Sequence, residues 1–336
     1  MQHSEAARAR GLSRRTLILI ATNVISIASL YWVLSHSRWR EFRTDIRELN
    51  WWWIALAVVA DILVYVCHGW RWSLLLTPVE RIPVLRSVQA VYVGLFANEV
   101  LPFRTGELIR CYLQSKWSTI PFSVTISSAV IERFFDGFWL GLLLLFVIGR
   151  TPNMPEEIKV GGWILLGVLL IGAAVLAAGF FHKERAHRVL GEKGWQRHFR
   201  ILIQDLHLIG HSRYLYFSAL ATIPYLLLQA VPIYASMRAF GFTPVTWGDA
   251  TVLMVCLRLS SAVPQAPGNV GTFQLFTRQL LKVLGYPAED SGRFSILLWI
   301  VVTAPLLVIG FIALLMTETK IGELQRRVKS EIPVSK

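Results

Sequence analysis

The stretch that decides the fold is NEVLPFRTGELIR, residues 98–110, in which Asn98, Glu99, Arg104, Glu107 and Arg110 crowd around a Pro102-x3-Gly106 break between two apolar runs. Polar side chains are costly at bilayer depth, so such a cluster marks a functional site whose partners lie elsewhere in the chain. The apolar run leading into it, residues 87–97, is short. At about 1.5 Å per residue it covers little more than half of a hydrocarbon core about 30 Å thick. Proline removes a backbone donor and glycine tolerates unusual dihedrals, so the spacing predicts a re-entrant hairpin that enters the membrane, breaks at Pro102 and returns through residues 105–115. A kinked helix packed through small residues is the other reading of the same stretch.

Composition sets the class. Of 336 residues, 54% are hydrophobic and 13 are Trp, with a mean hydropathy of +0.50, which is a membrane composition. The 34 Lys and Arg against 21 Asp and Glu give a net charge of +13. The basic residues fall in loops between apolar spans, which points to positive-inside topology and lipid headgroups as partners rather than nucleic acid. Cys67, Cys111 and Cys256 are far apart in sequence and read as buried fillers.

In chain order, a basic N-terminus (1–15) precedes an uncharged run, 16–35, read as a retained signal anchor with a cytoplasmic N-terminus. Trp39, Phe42, Ile46 and Leu49 then step by three, four and three between arginines, predicting an amphipathic helix flat on the membrane surface. The span 51–70 contains Asp61 and His68 and ends at Arg71-Trp72, a pair expected at headgroup level. The long apolar segment 118–149 contains Glu132, Arg133 and Asp136, a cluster that should face protein. Spans follow at 160–181, 214–237 and 294–316, with a basic loop at 182–213 and a basic tail at 317–336. A second short run, 250–261, carries Arg258 and breaks at VPQAPGNVG, residues 263–271.

The two halves echo each other. The stripe 39, 42, 46, 49 recurs at Phe199, Leu202, Leu206 and Ile209, an offset of 160. Pro83-Val84 recurs at Pro244-Val245, Pro102-x3-Gly106 at Pro264-x3-Gly268, and Val147-Ile148-Gly149 at Val308-Ile309-Gly310, at offsets of 161 to 162. The expected fold is therefore an all-α integral membrane protein built as an inverted repeat (16–150 and 151–316), each half with three spanning helices, one interfacial amphipathic helix and one Pro/Gly-broken re-entrant hairpin. Both termini are placed in the cytoplasm, in the plasma (inner) membrane of the cell. The four arginines of the surface helix then fall outside, against the charge rule, although Glu41, Asp45 and Glu48 nearly neutralise them.

Hairpins entering from opposite faces would meet near the midplane, the place where inverted-repeat transporters hold their cargo. Arg104, Glu107 and Arg110 are three apart on one helical face. They read either as a headgroup clamp, with the arginines forked onto phosphate and Glu107 pairing or carrying a coupling proton, or as a structural ion-pair ladder. The second hairpin supplies backbone: Pro267, Gly268, Asn269 and Gly271 resemble an anion-binding nest before a helix start. Arg258 needs a counter-charge, for which Glu99, Glu107, Glu132 and Asp136 are the candidates.

Together, Arg71-Trp72, LPFRTGELIR at 101–110, Glu132-Arg133-x2-Asp136 and PGNVGTFQ at 267–274 resemble the lysylphosphatidylglycerol synthase transmembrane-region family, flippase-like proteins similar to the membrane half of the multiple peptide resistance factor. The resemblance covers about residues 16–316 and implies translocation of a phospholipid or other anionic, aminoacylated, polyprenyl or hopanoid-related lipid between leaflets. Two departures matter. The chain runs only twenty residues past its last span, so the soluble aminoacyl-transfer domain of two-function members is not expected. Gln274 stands where the family often has glutamate after the Gly-x-x-Gly, so no titrating carboxylate is expected there.

No Gly-x-Ser-x-Gly, Walker loop or His-Glu-x2-His occurs, so no catalytic residue, metal or cofactor is assigned and transport would be facilitated, ion-coupled or driven by a partner. His207 and His211 are four apart but lack a ligand set. The candidate substrate-binding residues are Asn98, Glu99, Arg104, Gly106, Glu107, Arg110, Glu132, Arg133, Asp136, Arg258, Pro264, Pro267, Gly268, Asn269, Gly271 and Gln274. A membrane-embedded enzyme, or a scaffold for a lipid- or glycan-modifying pathway, is the alternative to a translocase. A separately encoded lipid-modifying enzyme is a further expected partner.

Overall fold

The computed structural model describes residues 39–101, 105–150, 212–260 and 267–317, with isolated positions between 24 and 35, 156 and 171, and 324 and 327. The expected spans 16–35 and 160–181, the second amphipathic stripe, the histidines of the basic loop, Arg104 and Pro264 lie outside the described segments. All regular structure among the described residues is helical. In order these are α1 (Trp39–Glu48), α2 (Trp51–Leu76), α3 (Val84–Val100), α4 (Gly106–Lys116), α5 (Phe122–Arg150), α6 (Arg213–Ala239), α7 (Trp247–Ser260), α8 (Thr272–Val283) and α9 (Ala288–Leu315).

Local chemistry sets the starts. Asn50 caps α2 by accepting from Trp52 N at 3.2 Å, and Ser212 caps α6 by accepting from Tyr214 N at 3.3 Å. Thr246 and Asp249 open α7 as a reciprocal capping box, with the Asp249 amide donating to Thr246 Oγ1 at 3.1 Å and the Thr246 amide donating to Asp249 Oδ2 at 3.0 Å. Between α2 and α3, Glu80 accepts from the Thr119 amide at 2.8 Å and from its hydroxyl at 2.7 Å. Those bonds hold its carboxyl below the usual range and tie this loop to the α4–α5 turn.

Among the described residues, three helices are long and apolar enough to cross a membrane: α2, α6 and α9. Their outward faces are apolar while their inward faces carry the polar groups. On α2, Trp52, Leu56, Val59, Leu63, Val66 and Trp70 are exposed at steps of three and four, whereas Asp61, His68, Arg71 and Trp72 are buried. That is the pattern of a helix whose surroundings are lipid. The short helices form the interior. On α7, Ala250 and every residue from Val252 to Leu257 are buried, as expected for a helix apolar all round.

Long helix, short helix, short helix, long helix occurs twice in the same order. The starts at Trp51, Val84, Gly106 and Phe122 are matched by Arg213, Trp247, Thr272 and Ala288, at offsets of 162, 163, 166 and 166. The sequence offsets of 161 to 162 grow to 166 at the starts of the returning helices α4 and α8. Gly106, which the Pro-x3-Gly match pairs with Gly268, corresponds instead to Thr272 as the first residue of the returning helix. The span expected at 51–70 is also longer, since α2 continues through Leu76. The amphipathic helix appears at 39–48 and is anchored to α9, where Arg293 Nε donates to Asp45 Oδ2 at 2.5 Å.

Helices α3 and α4 pack as a tight hairpin with almost bare backbone at the crossing. A Cβ on Gly106 would lie 1.8 Å from the Gly94 carbonyl oxygen, and one on Gly94 would lie 2.7 Å from the Gly106 carbonyl oxygen. Asn98 clasps the same point, its Oδ1 accepting from the Gly106 amide at 2.8 Å. Gly106→Ala is therefore expected to force the arms apart and to cost about 1–3 kcal/mol, the range for overpacking. Thermal unfolding in detergent checks it; a melting temperature equal to wild type would show that the arms tolerate separation.

Candidate functional site

The charged residues of α2, α4 and α5 close into a ring of alternating sign. Arg71 donates to Glu132 (Nη2 to Oε1, 2.7 Å) and, in a short contact, to Asp136. Arg110 donates to the other Glu132 oxygen (Nη2 to Oε2, 2.7 Å) and to Glu107 (Nε to Oε2, 2.8 Å). Arg133 donates to Glu107 (2.6 Å) and to Asp136 (3.3 Å), completing the circuit. Three guanidiniums face three carboxylates, so the ring is formally neutral. His68 Nε2 lies 3.2 Å from both Arg110 Nη1 and Glu132 Oε1.

Aromatic faces and hydroxyls complete the enclosure. The Arg110 guanidinium lies 4.6 Å from the Trp72 ring, and Arg71 lies 4.6 Å from the Tyr225 ring and donates to Thr222 Oγ1 at 2.8 Å. The Trp72 indole donates to Ser128 Oγ at 3.0 Å. Arg71 and Trp72, expected at headgroup level, are thus fully buried, which corrects the interfacial assignment. The reason is visible in the register: Asp61, Val64, His68 and Arg71 share one stripe, and that stripe faces protein.

One edge of the ring opens into a cavity of about 300 Å³ where the two hairpins meet. Glu132 has a fully buried side chain, whereas Glu107 and Arg133 keep 34% and 43% of theirs exposed and line the cavity floor. The first hairpin adds Asn98 and Glu99, and the second adds Arg258 and Asn269. Leu95, Ile233, Met254, Phe273 and Leu298 are among the cavity's apolar lining residues. A chamber lined by both charged and apolar side chains suits the headgroup region of an amphiphile.

Arg258 enters this chamber from α7. Its Nε donates to Gln229 Oε1 at 2.5 Å and its Nη2 to the Tyr225 hydroxyl at 3.0 Å. Both partners are neutral and lie on α6, while the charge of Asp136, one of the candidate counter-charges, also acts on Arg258. Tyr225 lies between Arg71 and Arg258, 4.6 and 5.9 Å from its ring, and so joins the ring to the cavity.

The second hairpin's turn is built by backbone, as its glycines predict. Gly268 and Asn269 have φ of 72° and 53°, and Gly271 has 87°. Left-handed residues in this run turn the chain sharply, and only glycine adopts them without cost. Trp299 Nε1 donates to the Gly268 carbonyl at 2.8 Å, and a Cβ on Gly268 would lie 4.0 Å from Glu99 Oε2, which brings the two hairpin tips together. Gln274 is buried and accepts from the Gly271 amide at 2.6 Å. The expected nest thus has one of its amides satisfied from within.

The candidate residues therefore divide into three groups. Asn98, Glu99, Glu107, Arg133, Arg258 and Asn269 line the cavity. Arg110, Glu132 and Asp136 belong to the ring and are not among the cavity-lining residues. Gly106, Gly268, Gly271 and Gln274 shape the turns, with Pro267 in the same turn. Sequence reasoning missed Asp61, His68, Tyr225 and Gln229, which also line the cavity. The available signal for the first two was their spacing on α2, where Asp61, His68 and Arg71 are seven and three apart on one helical face.

Comparison with known proteins finds similar membrane proteins. The profile of the lysylphosphatidylglycerol synthase TM region family matches residues 18–310. A UPF0104 membrane protein of Methanothermobacter thermautotrophicus is 25% identical over 266 residues, 74% of this chain and 78% of that protein. A UPF0104 membrane protein of Methanocaldococcus jannaschii is 32% identical over 120 residues, 34% of this chain and 36% of that protein.

Proposed function

Because the chain belongs to the lysylphosphatidylglycerol synthase TM region family and is an integral membrane protein, we propose that it is a lipid translocase. It moves a phospholipid or other anionic or aminoacylated lipid between leaflets of the plasma membrane, holding the headgroup between the two broken hairpins while the acyl chains stay in lipid. The observation that carries this reading is the cavity itself: it is lined by Glu107, Arg133 and Arg258 together with apolar side chains, and it is sited where the hairpin tips touch.

In this account the two halves form an inverted pair, with hairpins entering from opposite faces and both termini in the cytoplasm. The recurrence of four helix types in one order supports it. Arg133 and Arg258 meet the phosphate through forked, charge-assisted hydrogen bonds. The neutral ring behind them fixes Arg133 and Glu107, so the cavity wall keeps its shape as lipid passes. A separately encoded enzyme that modifies lipid headgroups would supply the cargo.

Outer-leaflet lipids labelled with a membrane-impermeant amine or headgroup reagent, in cells with and without the gene, test the proposal alongside total lipid mass. A translocase changes the leaflet distribution of one lipid class and leaves its covalent structure intact. A new or missing covalent species at unchanged distribution would instead identify a membrane enzyme.

A further inference from the structure

Among the described residues, the cavity is lined by the acids Asp61, Glu99 and Glu107 and by Arg133 and Arg258. Bringing an anionic phosphate into such a chamber adds negative charge beside these acids in surroundings too dry to screen it. Something must neutralise it. Glu107 is already engaged by Arg110 and Arg133. Asp61 differs: it is 5% exposed, and its Oδ2 is buried without a hydrogen-bond partner. A carboxylate oxygen left in that state is strongly disfavoured unless it takes a cation or a proton.

Of the groups around Asp61, the acids and tyrosines favour a proton on it and the Arg258 cation opposes one. The helix of Asp61 offers Tyr65 one turn on and His68 two turns on, the latter engaged with Glu132. From α3 come Tyr92, whose hydroxyl donates to the Ile62 carbonyl at 3.2 Å, and Glu99. From α4 and α5 come Glu107 and Arg133, locked together at 2.6 Å. From α6 comes Tyr225, and from α7 Arg258, whose charge acts on Asp61 while its Nε and Nη2 donate to Gln229 and Tyr225. The cavity-lining residues of α9, Leu298, Trp299, Val302, Thr303 and Leu306, bring no titratable group. Asp61 thus shares the field of Arg258 with whatever anion enters.

We propose that Asp61 is a proton-binding site linked to headgroup binding: the proton sits on Oδ2 while a lipid phosphate occupies Arg258, and both leave together. Proton and phosphate then cross as a pair, so less net charge moves through the low-dielectric centre. This rests on the headgroup reading above, and linkage makes it reciprocal: protonation strengthens phosphate binding, and phosphate binding strengthens protonation.

The test uses the purified full-length chain in detergent. Binding of dihexanoyl-phosphatidylglycerol is measured calorimetrically, and carboxyl protonation by infrared difference spectroscopy, from about pH 5 to about pH 9, a range that brackets a perturbed carboxyl. In wild type the affinity falls with rising pH, approaching about tenfold per unit once Asp61 ionises, because one proton is taken up per lipid. Asp61→Asn binds with little pH dependence and loses one titrating carboxyl band, whereas Glu80→Gln, in the loop between α2 and α3 and outside the cavity, keeps both the slope and the band. An Asp61→Asn protein that keeps the wild-type slope, or keeps every titrating band, overturns the proposal. If wild type binds no phosphatidylglycerol at any pH, the headgroup reading fails, and the infrared band alone then decides whether Asp61 carries a proton.

Discussion

Glu132→Ala is expected to destabilise the protein by about 3–5 kcal/mol, the cost of leaving buried charge uncompensated. Glu132 gives one oxygen to Arg71 and the other to Arg110, each at 2.7 Å, and all three side chains are buried. Removing it takes one carboxylate contact from each of two guanidiniums and leaves the ring with one net positive charge, and Arg71 already has a buried Nε without a partner. Glu132→Gln keeps the shape and one acceptor oxygen, so it should fall between wild type and alanine. Thermal unfolding followed by size-exclusion profile in detergent reads both. The converse substitution is informative too: Arg110→Met, which removes one of the cations, should partly rescue Glu132→Ala, because fewer charges are then left unpaired.

Arg258→Ala is expected to lower lipid translocation by about tenfold to a hundredfold, the loss of a charge-assisted contact of about 1.5–3 kcal/mol. Its effect on stability should be smaller than that of Glu132→Ala, because Gln229 and Tyr225 are neutral and face an open cavity once it is gone. Arg258→Lys should recover only part of the rate, since an ammonium cannot reproduce the fork that holds both Gln229 and Tyr225. A rate for Arg258→Ala equal to wild type would move the headgroup elsewhere in the cavity.

How far this site was legible in the sequence depended on what each residue's partners were. The hairpins could be read because proline, glycine and short apolar runs are local signals, and α3–α4 and α7–α8 appear where those signals lie. Glu132 and Asp136 could be marked as protein-facing because charge inside a long apolar helix has nowhere else to go. Arg71 was misread because a cation followed by tryptophan at the end of a twenty-residue span looks interfacial. The helix in fact runs on to Leu76 and carries the pair inside. The partners of Arg258 were out of reach for a different reason: Gln229 and Tyr225 sit about thirty residues back on a helix whose own sequence reads as an ordinary apolar span. Asp61 was visible as a charge, but whether its oxygens were satisfied is a property of packing alone.

The central claim is that the cavity between the hairpins carries a lipid headgroup across the membrane. The most direct measurement reconstitutes the purified full-length chain into unilamellar vesicles containing fluorescent phosphatidylglycerol and adds a membrane-impermeant reductant. The account predicts that fluorescence in both leaflets becomes reducible with wild type and only outer-leaflet fluorescence with Arg258→Ala over the same time. Quenching confined to the outer leaflet in wild-type vesicles, as in protein-free ones, across acidic and neutral pH and with other anionic or aminoacylated lipids in turn, would contradict it.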